Sequence, residues 1–589
     1  MRPETSRRTF VKGLAATGIL GGLGLWRTPV WAITSPGEAN VLAGTDFDLF
    51  IGETPVNITG NRRTAMTING GIPGPLLRWR EGDTVTLRVR NRLNADTSIH
   101  WHGILLPANM DGVPGLCFHG IEPGGMYVYQ FKVRQNGTYW YHSHSGLQEQ
   151  SGVYGPLVID AKEPEPFEYD RDYVVMLTDW TDEDAVDLMK TLKKQSDYYN
   201  YNKRTVGDFI HDVSEKGWGS TVADRKMWAE MKMNPTDLAD VSGATYTYLM
   251  NGQAPDMNWT GVFRPGEKLR LRFINGSAMT YFDVRIPGLK MTVVAADGLH
   301  VKPVSVDEFR IAVAETFDVI VEPTQDAYTL FAQSMDRTGY ARGTLAAKVG
   351  LSAPIPPLDP RPLVTMDDMG MGGMDHGSMG GDMAGMDHSQ MTGMDHSSMQ
   401  GMAGMDHSGM TGMGEMQSHP ATENNNPLVD MQAMTTSPKL DDPGLGLRDN
   451  GRRVLTYSDL RSTFADPDGR DPGRTVELHL TGHMEKFAWS FNGVKFSDAE
   501  PLRLKYGERI RIVLVNDTMM THPIHLHGMW SDLEDANGEF MVRKHTIDMP
   551  PGSRRSYRVT ADALGRWAYH CHLLYHMEMG MFREVRVEE

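Results

Sequence analysis

Two cysteines in 589 residues, Cys117 and Cys571, allow one disulfide at most. A covalently stapled scaffold is ruled out, so stability has to come from buried apolar cores. If Cys571 binds a metal, no disulfide forms and Cys117 is a lone thiol. Basic residues are also scarce: 58 Lys and Arg against 75 Asp and Glu leave a net charge of −17. A surface of that sign argues against nucleic acid and anionic membranes as partners and favours cationic substrates, metal ions among them. Long apolar runs are missing as well. The stretch from Gly13 to Trp26 is too short and too glycine-rich to span a bilayer, so no stable membrane insertion is expected.

The paired Arg7 and Arg8 precede that stretch, and Val30-Trp31-Ala32 follows it in the manner of a signal-peptidase site. Residues 1–32 are read as a twin-arginine signal peptide that exports the folded protein to the periplasm. Export in the folded state suits a cofactor inserted before or during translocation.

Glycine, at 62 residues, and proline, at 33, are plentiful and favour an all-β fold rich in turns. Three segments repeat one pattern: residues 81–91, 265–275 and 506–516 each give a turn with Gly and an acid, then alternation, then Asn. Val85, Leu87 and Val89 fall on one face of a strand, with Thr86, Arg88 and Arg90 on the other. Leu269, Leu271 and Phe273, then Ile510, Ile512 and Leu514, take the inward places in the later copies. The chain is read as three related β-sandwiches, 45–165, 166–351 and 449–589. Ala185, Leu188, Met189 and Leu192 have helical spacing, so residues from about 180 to 240 are read as helices inserted into the second sandwich. Residues 352–448, mostly low in complexity, are read as a mobile link.

Four His-x-His pairs occur, His100/His102, His142/His144, His525/His527 and His570/His572, all in the first and third sandwiches. Residues i and i+2 of a strand share a face, so each pair presents two imidazoles to one side. If the two sandwiches meet, eight imidazoles converge. Such a set suits copper, which leads the divalent affinity order, and three ions could share it. Cys571, between His570 and His572, must face the other way. His522, His576 and Met581 complete around it the Cys, two His and distant Met set of a blue-copper electron-transfer site. A zinc reading fails because so many clustered donors exceed one tetrahedral site.

His-Trp-His-Gly, His-Ser-His, His-Pro-Ile-His-Leu-His-Gly and His-Cys-His-Leu-Leu-Tyr-His-Met-Glu-Met-Gly-Met resemble the four motifs of the multicopper oxidases. The mature chain is similar to the periplasmic copper resistance protein A branch of that family, with Ala296-Asp297-Gly298 and Val306-Asp307-Glu308-Phe309-Arg310 in support. The resemblance implies three cupredoxin-like domains and four copper ions. It assigns His100 and His525 to type 2 copper, and His102, His142, His144, His527, His570 and His572 to the type 3 pair. His522, Cys571, His576 and Met581 would hold type 1. The family also uses acids for proton delivery. Asp111 matches one such position, and its other reading is a turn residue before Gly112. Where some relatives carry a second acid this chain has Met577, with Glu578 next.

Methionine is the compositional anomaly, 40 residues in all. Residues 366–416 repeat Met-Asp-His, at Met374 and His376, Met386 and His388, Met394 and His396, and Met405 and His407. Thioethers prefer Cu(I) and imidazoles also accept Cu(II), so these residues are read as auxiliary copper ligands. Three functions compete. The first is a monomeric oxidase of Cu(I) that reduces O2 to water, serves copper tolerance and receives its ion from periplasmic copper carriers. The second is a laccase-like oxidase of phenols. The third is a copper-sequestering protein without enzymatic activity. The methionines favour the first.

Overall fold

The computed structural model describes residues 41–372 and 416–589. The expected signal peptide and the Met-Asp-His repeats, Met374 through His407, lie outside the described residues.

Among the described residues, six sheets form three pairs. In the first pair, Asp46–Val56 and Thr84–Asn91 belong to one sheet and His100–His102 and Gly137–His142 to the other. The second pair holds Arg171–Trp180 and Leu269–Asn275 opposite Phe282–Arg285 and Ala327–Ser334. The third repeats the order, with Arg474–His483 and Arg509–Asn516 opposite His522–Leu526 and Gly565–Cys571. The chain is thus three cupredoxin-like β-sandwiches.

Each alternating segment runs parallel to the long strand that opens its sandwich and antiparallel to a later one. The inward residues expected of all three copies are buried. The closing asparagine does the same work each time. Asn516 donates from its amide to the carbonyls of Met520 and Met549 and accepts from the Thr518 amide. Asn91 bonds Ala95, Ile121 and Leu93 in this way, and Asn275 bonds Thr280, Ile311 and Ser277. A buried loop without ladder partners has its polar groups satisfied by one side chain.

The middle copy departs from simple alternation. Its second face is buried too, with Arg270 at 0% and Arg272 at 1% exposure. The first and second sandwiches close over these guanidiniums. Arg270 meets Glu165 and Asp318, each at 2.6 Å, and Arg272 meets Asp172 at 2.9 Å. Arg78 of the first sandwich reaches the same Asp172 at 3.2 Å. Buried charges are tolerated here because each is paired and hydrogen-bonded.

Between residues 180 and 240 lie the helices Ala185–Lys194, Val206–Lys216 and Trp218–Glu230. The first begins at Asp184, whose carboxylate caps the Val186 and Asp187 amides. Ala185, Leu188 and Leu192 form its buried face, with Met189 half-buried beside them.

The reading of 352–448 as a mobile link needs correction for its two described parts. Val364, Met369, Met431, Ala433 and Leu447 are buried. The Val364 amide bonds Pro235, and Gly370 accepts from the Thr435 amide. Lys439 donates to the carbonyls of Asp368 and Pro551. Apolar anchors at these positions hold the segment against the second and third sandwiches, and the Met-Gly-Ser-rich composition lies between the two parts.

Candidate metal centre

Strand register sets the site. His100 lies opposite His142 in one antiparallel pair, and His525 opposite His570 in another. Opposed residues share a face, so the pairs on neighbouring strands present their rings to one side. Cys571 is opposite Ile524, one position out of phase, and its sulfur therefore enters the interior of the third sandwich.

The first and third sandwiches meet at these faces. His100 stacks on His527 with ring centres 3.9 Å apart, and His102 lies against His525 at 3.8 Å. Nε2 of His570 is 3.3 Å from Nε2 of His144 and 3.1 Å from Nε2 of His527. The His572 ring centre is 4.9 Å from that of His102 and 5.0 Å from that of His142. All eight predicted imidazoles are brought together.

The ring nitrogens divide their work. Nδ1 of His100 faces the Asp111 carbonyl at 2.7 Å, Nδ1 of His525 the His545 carbonyl at 2.6 Å, and Nδ1 of His570 the Cys571 carbonyl at 2.9 Å. Nδ1 of His142 lies 2.6 Å from Glu149, and Nδ1 of His527 lies 2.8 Å from Asp111. Carbonyls and ionised carboxylates only accept, and Nδ1 of His142 also faces the Ser143 carbonyl at 3.0 Å, so Nδ1 carries the hydrogen and Nε2 is left as a lone pair. Nε2 of His100, His142 and His525, and both ring nitrogens of His102 and His572, are buried without a hydrogen-bond partner. Burial holds His102, His142, His144, His525, His527 and His572 well below the ordinary imidazole pKa, and takes His570 down to about 3. Neutral lone-pair donors converging without partners fit cations, and the all-nitrogen set fits copper.

The second cluster lies behind the first. Cys571 Sγ is 3.5 Å from Nδ1 of His522 and 3.9 Å from Nδ1 of His576. Met581 is fully buried, and its carbonyl accepts from the Cys571 amide at 3.1 Å. Nε2 of His522 is tied to the Thr518 hydroxyl and Nε2 of His576 to Asp240, both at 2.7 Å, which turns each Nδ1 toward the sulfur. Trp489 stacks on the His576 ring at 3.9 Å. Burial pushes the Cys571 thiol well above its ordinary pKa, so a thiolate there needs a cation. Cys, two His and a buried Met suit copper. No disulfide forms: Cys571 and Cys117 are both free.

Glycine has a steric reason in two of the motifs. Gly103, at φ +77°, leaves no room for a Cβ, which would come within 2.5 Å of the His545 ring. Gly528, at φ +74°, faces Trp567 at the same distance.

Asp111 sits between the sandwiches, touching His100 and His527. Glu578 does not join it. It is exposed at the end of the helix Leu574–Glu578 and makes no hydrogen bond or ion pair with any described residue. Two residues beyond His576, the helix has turned it to solvent. Sequence reading missed Glu149, Asp240, Thr518 and His545. Glu149 is buried, its Oε1 has no partner, and burial raises its pKa well above the carboxylate range. No spacing signal marks these residues, because each reaches the site from a loop or another sandwich.

Residues 51–164, 171–349 and 469–589 each match a family model described as multicopper oxidase. The chain is 80% identical over 589 residues to a copper resistance protein A homolog of Pseudomonas syringae pv. tomato, covering all of both chains. It is 74% identical over 602 residues to copper resistance protein A of Escherichia coli, again across both full lengths. The solved structure of Fet3p, described as a multicopper oxidase that functions in iron import, has a similar fold. Its TM-score is 0.63 at 19% identity, covering 93% of this chain and 91% of that one.

Proposed function

This chain belongs to the multicopper oxidase family, and on that premise we propose that it is a cuprous oxidase serving copper tolerance, with four copper ions held at the two clusters. His100 and His525 would hold type 2, and His102, His142, His144, His527, His570 and His572 the type 3 pair. His522, Cys571, His576 and Met581 would hold type 1. Copper so placed supplies one-electron acceptance at type 1 and four-electron reduction of O2 to water at the others.

The observation that carries the reading is the phase of one strand. Cys571 faces one cluster while its bonded neighbours His570 and His572 face the other. The shortest covalent route between the clusters is the backbone of those three residues. Asp111 and Glu149 orient His527 and His142, and Asp240 and Thr518 orient His576 and His522. Asp111 also stands where a proton can be held beside the histidines.

Cu(I) as donor is supported by the fifteen methionines of residues 366–416. Phenols are the second donor class. In this reading the protein is a periplasmic monomer exported by the twin-arginine route, receiving copper from carrier proteins. The test is deletion of residues 373–415, sparing the packed turn that contains Met369. O2 uptake with Cu(I) should fall far more than uptake with a small phenol. Equal losses would overturn the cuprous assignment and leave the oxidase intact.

A further inference from the structure

A third cluster of metal-ligating side chains lies outside both of these. His419 and Glu423 come from the segment 416–448, His479 from the strand Arg474–His483, and Asp517 from the residue after Arg509–Asn516. One donor atom of each lies within 4.8 Å of the others. Asp517 Oδ2 is 2.6 Å from Nδ1 of His479 and 3.1 Å from Nδ1 of His419. Glu423 Oε2 lies 3.4 Å from Nδ1 of His419, and Oε1 lies 3.6 Å from Nδ1 of His479.

The outer atoms of these side chains are already committed. Nε2 of His419 faces the Ala433 carbonyl at 3.0 Å, and Nε2 of His479 faces Glu477 at 3.2 Å. Both partners can only accept, so Nε2 carries the hydrogen on each ring, and Nδ1 of a neutral ring is a lone pair. Asp517 Oδ1 is held by the Ala433 amide at 2.8 Å, and Glu423 Oε2 by the Gln432 amide at 3.1 Å. With both rings neutral, two imidazole lone pairs and two carboxylate oxygens point inward. Burial is outweighed by the Asp517 carboxylate beside them, which raises both ring pKa values, so without a cation protons fill the same place. Four acceptors face one another, and Glu423 Oε1, on a residue only 3% exposed, has no hydrogen-bond partner at all.

An arrangement of acceptors this close requires positive charge in the middle. Either both rings carry a second proton, or a cation stands in their place. Two neutral imidazoles and two carboxylates carry a formal charge of −2, which a divalent ion cancels. We propose that His419, Glu423, His479 and Asp517 form a binding site for one further divalent copper ion. Mixed nitrogen and oxygen donors select Cu(II) over Cu(I), the reverse of a thioether set, and Cu(II) leads the divalent affinity order. The site adjoins the type 1 cluster. Asp517 is bonded to Thr518, whose hydroxyl is 2.7 Å from Nε2 of His522. It holds its ion whichever donor the oxidase uses, and so stands apart from the cuprous reading.

The test uses the full-length, copper-loaded protein. Crystals soaked in Cu(II) and measured above the copper edge should give an anomalous peak among the four side chains, separate from the oxidase coppers. A map with the oxidase coppers present and nothing between His419 and His479 would overturn the site. In solution, Cu(II) titration of His479→Gln should show one equivalent fewer than the parent, with the blue band near about 600 nm unchanged. Unaltered stoichiometry would count against the proposal with equal force. If His479→Gln does not fold, His419→Gln replaces it, because that side chain, 14% exposed, is the least buried of the four.

Discussion

The Asp111 carboxylate lies 2.8 Å from Nδ1 of His527, a residue 416 positions further along the chain. The same residue gives its carbonyl to Nδ1 of His100 at 2.7 Å. One aspartate of the first sandwich thus sets the tautomer of a histidine from each of the two sandwiches that share the metal centre. Asp111→Ala should lower oxidase activity, or copper retention by the histidine pairs, by about 10- to 100-fold. The blue band should survive, because Asp111 touches no residue of the Cys571 cluster. Metal analysis together with the absorption spectrum separates the two effects.

Cys571→Ser removes the soft ligand without disturbing the neighbouring backbone. The band near about 600 nm and turnover with every donor should both disappear. Copper content should fall by one ion per chain while the histidine cluster still fills. Retained activity would refute the electron-entry assignment.

Acid should loosen the contact between the first two sandwiches. Burial raises the Asp172 pKa, but Arg272 and Arg78 outweigh it and hold the carboxyl below its ordinary value. A depressed folded-state pKa contributes stability that is present above the unfolded pKa of about 3.9 and is lost as pH falls through the folded value. The calorimetric midpoint should therefore drop steeply below about pH 4. Asp172→Asn should cost about 3–5 kcal/mol at neutral pH by leaving buried guanidiniums underpaired. Its acid dependence should be shallower than that of the parent.

Asn516→Ala leaves the carbonyls of Met520 and Met549 and the Thr518 amide without their partner. A loss of about 1–3 kcal/mol for each unsatisfied buried group is expected. The blue band should also shift or broaden, because Thr518 anchors His522. Asn275→Ala breaks the equivalent bonds in the sandwich that lacks the histidine pairs, so it should destabilise without changing the spectrum. Equal spectral effects from both variants would separate Thr518 from the positioning of His522.

Much of the grouping of these histidines and of Cys571 was readable in advance because residue spacing and strand period are both local. Two residues apart on a strand means one face, and Cys571 between His570 and His572 means the opposite one. The inward residues of the three repeats followed from the same rule. It gave no account of Arg270 and Arg272, on the other face of the second copy, which are buried as well. Their burial comes from the packing of another sandwich, which a period of two cannot register. The segment 352–448 went astray in a similar way. Its low-complexity centre coloured the reading of its flanks, where single residues such as Met369 and Ala433 anchor the chain.

The supporting residues were hidden for a related reason. Glu149, Asp240 and His545 have unremarkable neighbours in sequence and matter only through what they meet after folding. Glu578 is the reverse: it is two residues from His576, yet the helix carries it away.

The sequence alone determined the donor types, their grouping on strand faces and the three-fold repetition, because these depend on bonds and dihedral periods within short segments. Only tertiary structure decided that the first and third sandwiches share one cluster. It also decided which ring nitrogen each carboxylate or carbonyl fixes, and that His419 and Glu423 close over His479 and Asp517. Those outcomes depend on interfaces between segments far apart in the chain, where burial selects the partner and no local pattern records the choice.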